Sequence, residues 1–351
     1  METEYLIIGQ GLCGTLMSWE LTKLNREHIV IDSGLSITSS KIASGLINPI
    51  TGQRFAKSWM YEDLVPVAIE TYRELELALK KKFFSEIVFY DMFPDAGNAS
   101  AFQKKQSQYP DLLSFAKEDE ALDRYFNFEL GIGKIAPCYL VDLPKLLSGY
   151  ATKLKTDNKL VTSAIDTTQL KFASGKWHLG EISADRVIFC DGAAAVDSPF
   201  FKVLPFNLNK GEVVFVELEA PMPGGIFKNT LKLAPWHGLT YWVGTNFLWK
   251  FDDIEPSEQF RCHVEVELQK WLKVPFHIRD HVAAIRPATI NRYPFVGEHP
   301  QHKGLFILNG MGAKACSQAP YFSKQLVNFI ENSSTITREV DVQLSKNLLV
   351  N

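Results

Sequence analysis

The sequence is short of several things, and each shortage narrows the field. Cysteine is scarce: five in 351 residues, at Cys13, Cys138, Cys190, Cys262 and Cys316. They are scattered, odd in number, and joined by no CxxC or clustered His/Cys pattern. That excludes a zinc framework and a disulfide scaffold, and it fits reduced thiols in a cytoplasm. No apolar run approaches the length needed to cross a bilayer, so no membrane partner is expected. The first apolar run is brief and stops at glycine, so no secretory leader is expected either. An excess of charge of one sign is also missing. Lys and Arg total 37 against 40 Asp and Glu, a formal charge of −3, which is no footprint for nucleic acid. Internal repeats and low-complexity linkers are absent, so domain boundaries must come from motifs.

What is present is apolar mass. Hydrophobic residues make up 46% and aromatics 12%, enough for a large core and two domains. The chain opens on YLIIGQGLCGTLMSWEL. Tyr5 to Ile8 read as a buried strand, and Leu12, Leu16, Trp19 and Leu21 give the following helix one apolar side. Gly9 would make the tight turn, Gly11 would let a pyrophosphate touch the backbone, and Gly14 would let helix and strand pack closely. The helix N-terminus offers free N–H groups to phosphate. HIVID then reads as a second strand ending at Asp32, where a carboxylate holds a ribose hydroxyl. This spacing alone does not choose between NAD and FAD.

Three later stretches bear on that choice. SITSSKIASGLINPITGQR (36–54) reads as a Ser- and Gly-rich loop. ADRVIFCDG ends in another buried strand, Arg186 to Cys190, followed by Asp191-Gly192 and small residues that allow close backbone approach. GLFILNGMGAK repeats the pattern of strand and glycine turn near the C-terminus, before a helix with an apolar side (Tyr321, Phe322, Leu326, Phe329, Ile330).

GQGLCG with Asp32, SSKIASGL, ADRVIFCDG, and IRPATINRYPFVGE followed by NGMGAK together resemble the D-amino-acid oxidase, glycine oxidase and sarcosine oxidase family of FAD-dependent amine oxidoreductases. The likeness samples the chain from end to end, and the order and spacing of the motifs carry it. It extends to the oxidase domain of a bacterial tRNA wobble-uridine modifying enzyme acting on a carboxymethylamino group. The resemblance implies an α/β fold: a discontinuous Rossmann-like FAD-binding domain (1–60, 140–200 and 290–351). A second α+β substrate domain (61–139 and 201–289) would be built on a mostly antiparallel sheet.

By position, the resemblance implies that Gly9, Gly11 and Gly14 cradle the FAD diphosphate and Asp32 holds the adenosine ribose. Ser39 and Ser40 would contact phosphate or ribose, and Gly45 and Leu46 would run beside the isoalloxazine. Val161 would meet the adenine, and Gly192 would pack against the cofactor. Gly310, Gly312 and Ala313 would contact the flavin pyrimidine, with Lys314 close by. The same resemblance makes Arg286 in AIRP and Lys314 in GMGAK the cations that fix a substrate carboxylate, a task suited to a planar guanidinium. Their bland alternatives are an interdomain salt bridge and a solvated surface charge.

Two positions depart from the family pattern. Lys232 stands where glycine oxidases often carry a pocket aromatic, so Lys232 and Phe247 are expected to line a different pocket, unless Lys232 is simply exposed. Trp242 stands where sarcosine oxidases place an oxygen-activating lysine, which leaves the acceptor open between oxygen and another oxidant. Of the stripe Tyr241, Trp242 and Trp249, one residue is expected to touch substrate, and Tyr241 is named for the pocket. No cysteine occupies the position of covalent flavin attachment in some sarcosine oxidases, Cys316 being offset from it, so noncovalent FAD is expected. If Arg286 and Lys314 do not hold the carboxylate, Arg54 or Lys232 is the alternative. The substrate expected is a small amine or amino acid. The competing readings are the tRNA-modifying oxidase, which the charge and the lack of a fused methyltransferase disfavour, and a flavoprotein without turnover.

Overall fold

The computed structural model describes residues 1–117 and 121–350. Its first strand, Glu2–Ile8, sits centrally in a sheet with His28–Asp32 and Leu160–Thr162 on one side and Ile182–Phe189 and Leu305–Asn309 on the other, all parallel. Near-continuous apolar runs produce this arrangement, because both faces are covered. Tyr5 and Ile7 face one core with the helices Leu12–Lys23, Tyr61–Leu79, Leu143–Thr156 and Ala315–Asn332. Leu6 and Ile8 face another, with Val187, Phe189, Leu305 and Ile307.

The second sheet is mostly antiparallel. Phe276–Arg286, Asn209–Leu218, Thr240–Gly244, Lys232–His237 and Ile226–Lys228 follow one another by antiparallel pairing, and Ile226–Lys228 pairs in parallel with Phe84–Met92. Period-two alternation separates its faces. Val214, Val216, Leu233, Tyr241 and Val243 pack under the helix Glu258–Trp271, through Val264, Leu268 and Trp271. Val213, Phe215, Ala234, Trp242, Val282 and Ala284 form the opposite face, toward the first sheet.

The two layers do not divide along the expected boundaries. Helix Tyr61–Leu79 packs in the core of the first sheet, beside the helices Leu12–Lys23 and Ala315–Asn332. Conversely, Leu46–Ile47 pairs with Ile132–Val141 at the edge of the second sheet. No helix among the described residues is long and apolar enough to cross a membrane.

Candidate active site

A cavity of about 1260 Å³ lies between the C-terminal ends of the parallel strands and the inner face of the second sheet. Binding at the carboxyl ends of such strands is the general rule for open α/β sheets.

Its first wall is the glycine turn. Gly9 has φ +99°, and a Cβ there would meet the carbonyl oxygen of Cys190 at 2.5 Å. Gly11 is the N-cap of the first helix and has no side chain with which to cap it, and no acid lies in the first turn. A Cβ on Gly11 would crowd Ser40 Oγ at 3.2 Å, and both residues line the cavity. Ser40 Oγ accepts from Leu12 N–H at 3.2 Å. Asp32 is held from both ends: Oδ2 accepts from Gln10 N–H at 2.7 Å and Oδ1 from Gly34 N–H at 2.8 Å. Each oxygen keeps a lone pair for a hydroxyl. Helix N-terminal N–H groups, a glycine backbone and a fixed carboxylate form a donor and acceptor set that fits a dinucleotide.

The second wall carries cations. Arg286 Nη1 donates to Asn209 Oδ1 (2.7 Å) and Asn246 O (3.3 Å), and Nη2 donates to Thr245 Oγ1 (2.6 Å). Its guanidinium lies 4.6 Å from the centre of the Phe247 ring. Room for it is made by Gly211, where a Cβ would overlap the guanidinium. Every one of these acceptors is neutral. Burial lowers Arg286 to about 10. Lys232 Nζ lies 5.7 Å from the Trp242 ring centre, and burial, then Arg286 and Lys228, lower it to about 8. Lys314 is lowered to about 8 by burial and then by Lys232, and its amine reaches Ser58 Oγ at 3.5 Å. Lys228 is different, because both oxygens of Asp91 accept from it at 2.9 Å. Among the described residues, Arg286, Lys232 and Lys314 have no carboxylate within salt-bridge distance.

Most of the residues singled out in the sequence face this cavity. Gly9, Gly11, Asp32, Ser39, Ser40, Gly45, Leu46, Gly192, Gly312, Ala313, Lys314, Arg286, Lys232 and Phe247 all line it. Tyr241 does not: it lies in the core under the helix Glu258–Trp271, because strand alternation turns its neighbour Trp242 inward instead. Trp249 is also outside the lining and is 51% exposed. Gly14 lies behind the wall, where a Cβ would overlap the carbonyl of Gly9, so its role is packing. Val161 packs against the core beside the parallel strands, and Ile165 to Thr168 line the cavity in its place. Gly310 is a turn glycine (φ +84°) whose missing Cβ leaves room for Thr289 Cγ2, at 2.7 Å. Arg54 is exposed and outside the lining.

Sequence reading passed over Gly211, Lys228, Asp91 and the Thr245–Asn246 segment. Only strand register, which brings distant segments side by side, reveals them. Asp191, half-buried at the lining, is raised to about 7 by desolvation, and Asn309 Nδ2 donates to it at 2.9 Å. Three thiols line the cavity, Cys13, Cys190 and Cys316. Burial pushes Cys13 and Cys316 up to about 12 and Cys190 well above its ordinary value.

Comparisons with known proteins agree with this geometry. The fold is that of the glycine oxidase from Geobacillus kaustophilus, at a TM-score of 0.80 and 17% identity over 96% of each chain. The iminodiacetate oxidase from Chelativorans sp. BNC1 superposes with a TM-score of 0.78 at 16% identity, covering 96% of this chain and 98% of its own. The L-proline dehydrogenase from P. horikoshii gives 0.76 at 15% identity, covering 95% and 94%. At such identities the likeness establishes the fold. The family model described as DAO, FAD dependent oxidoreductase, matches residues 4–328, and the chain therefore belongs to that family of FAD-dependent oxidoreductases.

Proposed function

We propose that the protein oxidises the C–N bond of a small amine that carries a carboxylate, an amino acid or an N-substituted glycine. The observation that carries this reading is the Arg286 guanidinium, which faces the cavity and, among the described residues, donates to the neutral acceptors Asn209, Thr245 and the carbonyl of Asn246. A desolvated guanidinium with neutral neighbours is a strong site for an incoming carboxylate.

The bound flavin supplies the hydride acceptor. The chain supplies position and charge. Arg286 anchors the carboxylate and so aims the neighbouring C–H at the flavin. Arg286, Lys232 and Lys314 together disfavour a protonated amine nearby, which keeps the nitrogen lone pair available. Lys314 offsets the negative charge that arrives with the hydride. On the other wall, Gly9, Gly11 and the first turn of the helix Leu12–Lys23 hold the diphosphate, and Asp32 holds the ribose. Ser39 and Ser40 flank them. Gly45, Leu46, Gly192, Gly312 and Ala313 lie along the rest of the cofactor. No cavity thiol is acidic enough to be a ready nucleophile, which supports noncovalent attachment.

The test is anaerobic mixing of the purified yellow protein with glycine, sarcosine, proline, D-amino acids and N-alkyl amino acids. Bleaching of the flavin absorbance by at least one of them is expected. A flavin that dithionite reduces but no member of the panel bleaches would refute the reading.

A further inference from the structure

Three cations that line the cavity, Arg286, Lys232 and Lys314, have no carboxylate partner among the described residues, and one substrate carboxylate would leave two of them without one. Strand register sets out a row across the second sheet. Asp91 pairs with Lys228, Lys228 with Lys232, and Lys232 with Gly244. The first two neutralise each other through both carboxylate oxygens at 2.9 Å. Lys232 comes next and, among the described residues, has no such partner, and beyond it the missing side chain of Gly244 makes room for the Trp242 ring, which a Cβ there would meet at 2.9 Å. Trp242, two residues before Gly244 on the same face, lies over that glycine with the Lys232 amine 5.7 Å from its ring centre, and Lys232 and Trp242 both line the cavity.

This Lys232–Trp242 corner belongs to the same cavity as Arg286. Thr245, the residue after Gly244, accepts from Arg286 Nη2 at 2.6 Å. One strand spacing, about 4.8 Å, separates the backbones of Lys232 and Gly244. The two cations line one cavity and are close enough that the Arg286 charge lowers the pKa of Lys232.

We propose that the substrate amine carries a second carboxylate and that Lys232 binds it while Arg286 binds the first. This rests on the proposed amine oxidation, because it names the class of amine. Charge supports it. Arg286, Lys232 and Lys314 line the cavity with no carboxylate within salt-bridge distance among the described residues, and burial, which lowers all three, makes a negative partner favourable to each. A monocarboxylate offsets one of them. A dicarboxylate offsets two and leaves Lys314 to face the charge that the flavin gains. An apolar or singly charged substrate would leave Lys232 desolvated beside Arg286 with nothing to offset the repulsion. The second carboxylate can sit on the nitrogen substituent, as in iminodiacetate, or on the side chain, as in aspartate. The recognising chemistry is the same.

The experiment uses the FAD-loaded protein and unreactive probes. Succinate and propionate are titrated against the flavin absorbance of the wild type and of Lys232→Met. Succinate should bind the wild type about 30-fold or more tightly than propionate, the penalty expected when one member of a buried charge pair is missing. In Lys232→Met that ratio should collapse toward one. Lys232 leaves no buried partner behind, so the variant should retain FAD and melt no lower than the wild type. Equal affinities in the wild type, no binding of either probe, or a ratio unchanged in Lys232→Met each overturn the proposal. Flavin reduction by iminodiacetate and by aspartate, against glycine and alanine, then tells which carbon bears the second group. If glycine and alanine work as well as their dicarboxylate counterparts, oxidation stands and the second carboxylate falls. If no amine reduces the flavin yet the succinate preference depends on Lys232, the oxidation reading falls and the dicarboxylate site stands.

Discussion

Gly211→Ala reaches the proposed carboxylate anchor without touching an ionisable group. Gly211 lies in the strand Asn209–Leu218, opposite Ala284, and its backbone is not left-handed. Alanine therefore fits the strand itself. Its methyl group does not fit the space, because it would overlap Cζ and both terminal nitrogens of Arg286. The guanidinium must retreat by roughly 1 Å or more to restore ordinary contact. That movement breaks the bonds to Asn209 Oδ1 (2.7 Å) and Thr245 Oγ1 (2.6 Å). Hydrogen bonds to a charged group contribute about 1.5–3 kcal/mol each. A misplacement of about 1 Å at a positioning residue lowers rate by roughly 100-fold, or about 2.7 kcal/mol. Flavin reduction by a carboxylate-bearing substrate, expressed as rate constant over Kd, should fall by about that factor while FAD content stays constant. Gly224→Ala is the control, since nothing lies within 4 Å of its added Cβ. The decisive comparison is a double-mutant cycle. In an Arg286→Ala background the obstruction is gone, so Gly211→Ala should add little. A single variant within about threefold of wild type, or full additivity in the cycle, would show that the position of Arg286 does not matter to the reaction.

Two further outcomes follow from the site and the core. Acid denaturation should release all of the yellow colour as free FAD, because every thiol lining the cavity is held in its protonated form by burial. Colour retained on the precipitate would contradict this. Stability should fall with acid between pH 6.5 and 4, since burial lowers His28 to about 4 and His299 to about 4. The sign follows from proton binding. In that window the unfolded chain takes up protons that the folded chain refuses, whereas above it neither state is protonated and below it both are. For His28, 1% exposed and held between Ser18 Oγ (2.8 Å) and Arg26 O (2.9 Å), the loss is about 3 kcal/mol. Urea midpoints across the window should flatten in His28→Gln, and an unchanged slope would refute the assignment.

The cofactor half of the molecule was legible because its signals are local. Gly9, Gly11 and Asp32 sit within one strand–turn–helix–strand unit, and the backbone conformation each requires can be read from residue type. The substrate half was less legible. Arg286 and Lys232 were found by position in a motif, but their surroundings depend on register between strands far apart in sequence. The sequence points to Tyr241 for the pocket and does not choose Trp242, because an aromatic run gives no phase. Only pairing with Lys232–His237 and Asn209–Leu218 decides which ring turns inward. Gly211 carried no signal at all, since its meaning is a space defined by a side chain 75 positions later. The helix Tyr61–Leu79 misled for a similar reason. Its strong helical pattern says that one face is buried, not which sheet buries it.

The short strand Leu46–Ile47 is one of the places where the two layers meet, beside Tyr139 and Val141 of the second sheet, which also enter the core of the first. It follows Gly45, whose φ of +77° and missing Cβ let the chain pass against the carbonyl of Val141. Ile47 then enters the core of the first sheet, while Leu46 packs against the inner face of the second. Gly45 and Leu46 themselves line the cavity. The wall touched by a bound ligand is thus a seam stitched into both layers. Free energy released on filling the cavity is shared by both, in proportion to the logarithm of ligand concentration over Kd. The protein's resistance to unfolding and its readiness for chemistry are therefore thermodynamically linked through two residues, and a lesion at that seam registers in each.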